Sequence, residues 1–219
     1  EFIQFKHTVF ALPFALCSYI LVSVKIGFQI SELVLILLAL VSARIFGMSI
    51  NRIFDVNIDK KNPRTLNRGL ISGSISFRGA YALALISFLI FYLVIINFNI
   101  NALYLSPIVI ILFLIYPLTK RFTFLCHYFL GLVYLIAPPA VEIALTGRFS
   151  TETLFLGISG FFWVSGFDLI YAILDIDFDK ENNIYSIPSK FGIKITKLIA
   201  SMSHLLTLIF MLSIGLIIN

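Results

Sequence analysis

Residues 32–59 read ELVLILLALVSARIFGMSINRIFDVNID. The first part is a nearly unbroken apolar run, long enough to cross a bilayer core, which takes about 20 residues as a helix. The end of the stretch carries Asn51, Asp55 and Asp59 at intervals of four. On a helix that spacing stacks three oxygen-bearing side chains on one face. In lipid every backbone polar group must be paired internally, so the run reads as a helix and not as an irregular segment.

Working outward, six further apolar runs have the same character. The predicted spans are 7–28, 32–54, 77–98, 100–119, 124–146, 152–174 and 195–218. The chain therefore reads as an all-α, polytopic transmembrane helical bundle of about seven helices, forming one domain over residues 1–219. Composition agrees: hydrophobic residues make up 60% of the chain and charged residues 12%, where a soluble domain is about a quarter charged. Mean hydropathy is +1.03. No alternating ten-residue pattern of a membrane barrel is present. Pro13, Pro107, Pro138 and Pro139 fall within spans, where they are read as kinks. Cys17 and Cys126 are read as small buried apolar side chains, without disulfide or metal spacing.

The charges fall at the ends of the spans. Arg52, Lys60, Lys61, Arg64, Arg68 and Arg78 surround the segment between spans two and three. Lys120 and Arg121 follow span four, and Lys180, Lys190, Lys194 and Lys197 flank the segment before span seven. Lys6 precedes span one, and the alternate ends carry only Lys25 and Arg148. The positive-inside rule then puts the N-terminus and the loops 55–76 and 178–194 in the cytoplasm, as for a multi-pass protein of the cell (inner) membrane. A net charge of +5 arranged in this way is a topology signal and points to no nucleic-acid partner.

A second acidic cluster, Asp175-Ile-Asp-Phe-Asp179, repeats the four-residue spacing, with Tyr171 one turn earlier. Asp177 points off that face. Hard divalent cations prefer oxygen ligands, and Mg²⁺ characteristically takes one or two carboxylates together with substrate phosphates. Asn51, Asp55, Asp59, Asp175 and Asp179 are therefore the candidate metal ligands, holding Mg²⁺ against a diphosphate. The basic residues beside them, Arg64, Arg68, Lys120 and, more distantly, Lys190, are candidate diphosphate contacts. Two charges lie deeper: Arg44 is seven residues before Asn51, and Asp168 seven before Asp175, about two helical turns or roughly 10 Å. They are expected to line one acceptor pocket, or else to pair with each other. His7 is read as interfacial. His127 and His204 have no acidic motif near them in sequence and receive no role.

At these residues the chain resembles the UbiA superfamily of intramembrane aromatic prenyltransferases. The resemblance rests on Asn51-x3-Asp55-x3-Asp59, Tyr116-x3-Lys120 and Asp168-x2-Tyr171-x3-Asp175-x3-Asp179. The stretches Asn62-Pro-Arg-Thr-Leu-Asn-Arg68-Gly and Ser186-Ile-Pro-Ser-Lys-Phe-Gly192 are similar to the 4-hydroxybenzoate polyprenyltransferases and their menaquinone-pathway relatives. The resemblance implies Mg²⁺-dependent transfer of a polyprenyl group from a prenyl diphosphate donor to a small aromatic acid acceptor, either 4-hydroxybenzoate-like or dihydroxynaphthoate-like. Arg44, by its depth, and Asp168 are the catalytic candidates; the resemblance implies Tyr116 beside Lys120 in diphosphate binding and a place for Tyr171 in the third motif. Family members have nine membrane helices, so the chain is expected to be cut short at its C-terminal end. A transporter with intramembrane acidic sites is the competing class. It would more often place broken helices and charges at the midplane.

Overall fold

The computed structural model describes residues 12–218, and these are helical throughout, with short connections. The long helices are α1 (Leu12–Ile26), α2 (Ile30–Asp59), α3 (Phe77–Ile95), α4 (Ile100–Thr119), α5 (Cys126–Thr146), α6 (Thr151–Ala172) and α7 (Ile187–Ile218). Six of the described helices are long and apolar enough to cross a membrane, and α1 is a shorter apolar helix. Lys6 and His7 lie outside the described residues.

Three boundaries differ from the sequence expectation. Helix α2 runs through Asp59, so Asn51, Asp55 and Asp59 all lie on its last turns. The connection to α3 is then folded into a turn at Pro63–Thr65 and a short helix at Gly69–Ser72. After α6 the chain tightens at Ile173–Asp175 and continues as a short helix, Ile176–Glu181. The final helix begins at Ile187, earlier than its apolar run. The Ser186 hydroxyl accepts from the Ser189 backbone N–H at 3.2 Å, a cap that starts the helix. Gly192, at φ 77°, then breaks the axis, a conformation favoured by glycine.

Helix α6 packs on α5 and α7, α2 packs on α3, α4 bridges α5 and α2, and α1 lies against α5. Small residues bring α6 close to its neighbours: a Cβ on Gly157 would clash with the Leu135 carbonyl oxygen, and one on Gly131 would clash with Ser165 Oγ. Close backbone approach of this kind is how helices pack when lipid supplies no hydrophobic drive between them. Gly157→Ala is therefore expected to overpack the α5–α6 contact and cost about 1–3 kcal/mol. Gly215, where an added methyl would meet nothing within 4 Å, should tolerate the same change. Thermal unfolding of the two variants in one detergent checks the contrast.

Large apolar side chains such as Leu85, Leu93, Leu198 and Leu212 face outward. Several span hydroxyls bond within their own helix, Ser42 donating to the Leu38 carbonyl at 2.7 Å and Ser87 to the Leu83 carbonyl at 2.7 Å, while Ser18 of α1 donates across to the Pro138 carbonyl of α5 at 2.7 Å. Within lipid a hydroxyl must find its partner inside the bundle, on its own helix or a neighbour's. Cys126 is buried as expected, whereas Cys17 lies on the outer surface of α1. At the end of the bundle carrying Lys25 and Arg148, Glu142 is buried. It accepts from the Ser150 backbone N–H at 2.7 Å and from Thr153 Oγ1 at 2.5 Å, capping the start of α6.

Candidate active site

The opposite end of the bundle holds a polar cleft. The end of α2 supplies Asn51, Asp55 and Asp59; the end of α4 supplies Tyr116 and Lys120; α6 and its extension supply Asp168, Tyr171, Asp175 and Asp179; the loop after α2 brings Arg68. Thus both acidic clusters and the Tyr116–Lys120 motif line one cavity. The second cluster does not lie on regular helix. The tightening at Ile173–Asp175 offsets Asp175 from Asp179, leaving Asp175 half-buried and Asp179 buried, while Asp177 is exposed.

Each carboxylate of the clusters facing the cleft has a polar partner. Lys120 Nζ donates to Asp55 Oδ2 at 2.5 Å, Arg68 Nη1 meets Asp59 Oδ1 at 2.5 Å, and Arg64 Nη1 meets Asp175 Oδ2 at 2.6 Å. Asn62 Nδ2 donates to Asp175 Oδ1 at 3.0 Å, and Ser186 Oγ to Asp179 Oδ2 at 2.8 Å. The Arg64 guanidinium also lies 5.1 Å from the centre of the Tyr171 ring, a cation–π arrangement. Asp55 is 2% exposed, and its other oxygen, Oδ1, is buried without a hydrogen-bond partner. Removing a carboxylate oxygen from water with no partner is costly, so this atom marks a place where a ligand fits.

The connecting segments are pinned around the cleft. Thr65 Oγ1 donates to the Asp59 carbonyl at 2.6 Å, Arg121 Nη2 to the Phe54 carbonyl at 2.6 Å, and the Tyr185 backbone N–H to the Lys120 carbonyl at 2.8 Å. Asn62 and Ser186 have no site role predicted from sequence, yet both belong to the two stretches that carry the finer family resemblance.

Three expectations need correction. Lys190 does not line the cleft: its ammonium sits 3.7 Å from the centre of the Phe124 ring, because the cap and break around Ile187–Gly192 carry it outward. Arg44 and Asp168 do not share a pocket and form no ion pair among the described residues. Arg44 lines a separate apolar cavity bounded by residues of α1 to α5, including Ala43, Phe113 and Tyr134, and its Nε is buried without a partner. Asp168 instead pairs with His127, Oδ2 to Nδ1 at 2.7 Å. His127, given no role from sequence, is thus part of the cleft. Its acid comes from a different helix, which no local motif could reveal.

The donor set bears on a metal. Among the described residues no three His, Cys, Asp or Glu side chains come close enough to hold an ion by themselves. Carboxylates of two helices around one cleft, with an unpartnered Asp55 oxygen, suit a divalent cation that completes its shell with phosphate oxygens.

The UbiA prenyltransferase family pattern matches residues 11–218. The chain belongs to this family. A UbiA homolog from Aeropyrum pernix K1, solved in its apo form, is 35% identical with a TM-score of 0.85, covering 94% of this chain and 77% of that one. The 4-hydroxybenzoate octaprenyltransferase of Shewanella woodyi is 34% identical over 164 residues, 75% of this chain. The chain spans 57% of that relative's length. A UbiA homolog from Archaeoglobus fulgidus, solved bound to GPP and Mg²⁺, shares the fold at 19% identity and a TM-score of 0.73, covering 96% of this chain and 74% of that one. The UbiA resemblance drawn from the three motifs is therefore confirmed, as is the helical membrane bundle.

Proposed function

We propose that this UbiA-family chain transfers a polyprenyl group from an allylic prenyl diphosphate to a small aromatic acid of the 4-hydroxybenzoate type, with Mg²⁺ as cofactor, and that its cleft faces the cytoplasm. The observation that carries the reading is the ring of Lys120, Arg64 and Arg68, each held by a carboxylate of the two acidic clusters. Such a ring is charge-balanced without ligand and matches a metal–diphosphate complex with one. Asp55, Asp59, Asp175 and Asp179, with Asn51, would hold the Mg²⁺. When bound, the ion supplies Lewis-acid stabilisation of the departing diphosphate. Lys120, Arg64 and Arg68 turn from carboxylate to phosphate oxygens and stabilise the charge that develops as the C1–O bond breaks. Tyr116 and Tyr171 border the same space, and the surrounding bundle keeps water from the allyl cation. The positive-inside arrangement of Lys60, Lys61, Lys120, Arg121 and Lys180 supports the orientation. The named relative with 34% identity supports the acceptor class.

Arg44 is the acceptor's anchor in this reading. A guanidinium with a buried, unpartnered Nε in apolar surroundings suits the bidentate grip of a carboxylate. Arg44→Ala is expected to raise the acceptor KM about ten- to a hundredfold and leave the donor KM within about twofold, because only the acceptor loses a contact. Steady-state kinetics with each substrate varied in turn checks this, and an unchanged acceptor KM rejects the assignment. The same assay with a dihydroxynaphthoate in place of 4-hydroxybenzoate decides between the two acceptor classes.

A further inference from the structure

We propose that His127 accepts the ring-hydroxyl proton of the aromatic acceptor, with Asp168 as the positioning residue that fixes its tautomer. The inference rests on the prenyl-transfer reading above and deepens it.

His127 lies in the first turn of α5, is 3% exposed, and lines the polar cleft. Its Nδ1 is 2.7 Å from Asp168 Oδ2. An ionised carboxylate only accepts hydrogen bonds, so Nδ1 carries a proton, and in the neutral ring the lone pair then lies at Nε2. That Nε2 is buried and has no hydrogen-bond partner. A buried imidazole held on one side by a carboxylate and left open on the other is the arrangement of an oriented general base. A purely structural histidine would be expected to use both nitrogens.

The pair also stands apart from the diphosphate machinery. Asp55, Asp59 and Asp175 are each held by Lys or Arg and Asp179 by Ser186, whereas Asp168 is held by His127 alone among the described ion pairs. Tyr116 and Asp168 line the same polar cleft as His127.

In the reaction, the acceptor O–H proton moves to His127 Nε2, and the O–H electron pair is drawn into the ring. The ring carbon ortho to the oxygen forms a C–C bond to the prenyl C1. The C1–O bond has by then broken, its pair leaving with the diphosphate, so the ring carbon meets the allyl cation. The proton on the new sp³ ring carbon is then lost to the diphosphate, the ring becomes aromatic again, and the imidazolium returns its proton to the oxygen. One proton and one diphosphate are released per transfer.

The test uses the whole protein with geranyl diphosphate and a series of 4-hydroxybenzoates made progressively more acidic at the hydroxyl by ring fluorination. His127→Gln should lower kcat about 10²- to 10³-fold with 4-hydroxybenzoate, as for loss of a general base. It should leave geranyl diphosphate affinity unchanged. Its rate should rise steeply with hydroxyl acidity, while the wild-type rate changes little. Asp168→Asn, nearly isosteric, should show a smaller loss with the same trend and carries the test if His127→Gln does not accumulate. Wild-type kcat in His127→Gln, or a loss equal across all acceptors, overturns the proposal and leaves prenyl transfer standing. Absence of transfer by the wild-type protein overturns prenyl transfer and this proposal together.

Discussion

Asp55→Ala is expected to lower turnover about a thousandfold, equivalent to roughly 4 kcal/mol of transition-state stabilisation. Asp55 is the most deeply buried acid of the cleft at 2% exposure, and one of its oxygens already lacks a partner. Alanine removes a proposed ligand to the metal and also frees Lys120, whose ammonium would lose its 2.5 Å contact. Lys120 is partly open to the cleft, so it can be solvated and the bundle should persist. The measurement is turnover of geranyl diphosphate at saturating Mg²⁺, with thermal unfolding as a control for folding. Activity within tenfold of wild type would remove Asp55 from the metal site.

Lys120→Ala should lower kcat about 10²- to 10³-fold, the usual loss when one preorganised donor to developing charge is deleted. The ammonium stands at the junction of α4 and α2, and the residue's own carbonyl receives the Tyr185 backbone N–H at 2.8 Å. The substitution removes the charge and keeps that main-chain contact. Inorganic pyrophosphate should bind more weakly to the variant in the presence of Mg²⁺, while 4-hydroxybenzoate binding is unaffected. Equal pyrophosphate affinity in variant and wild type would exclude Lys120 from diphosphate recognition.

The helices were legible because a membrane span is a local property: an apolar run of the right length specifies it whatever lies beside it. The acidic clusters were legible for the same reason, since spacing of four places Asn51, Asp55 and Asp59 on one helix face. Their gathering with Lys120 and Arg68 around one cleft followed from all of them lying at the same ends of the spans. Helix rotation was not legible. Sequence distance gave Arg44 and Asp168 similar depths, but α2 turns Arg44 into the apolar cavity and α6 turns Asp168 toward α5. His127 was missed because its acid is 41 residues away. Glu142 was missed because its role is to cap the start of α6 through Ser150 and Thr153. Lys190 looked like its basic neighbours, and only the positive φ at Gly192 and the stacking on Phe124 set it apart.

The proposed activity is tested most directly by incubating the purified protein in lipid with geranyl diphosphate and 4-hydroxybenzoate, with and without Mg²⁺, and measuring prenylated product and released diphosphate together. Mg²⁺-dependent formation of a C-prenylated aromatic acid, equimolar with diphosphate, is the expected result. The absence of product with both 4-hydroxybenzoate and dihydroxynaphthoate acceptors, or product formation undiminished after chelation of divalent ions, would contradict it.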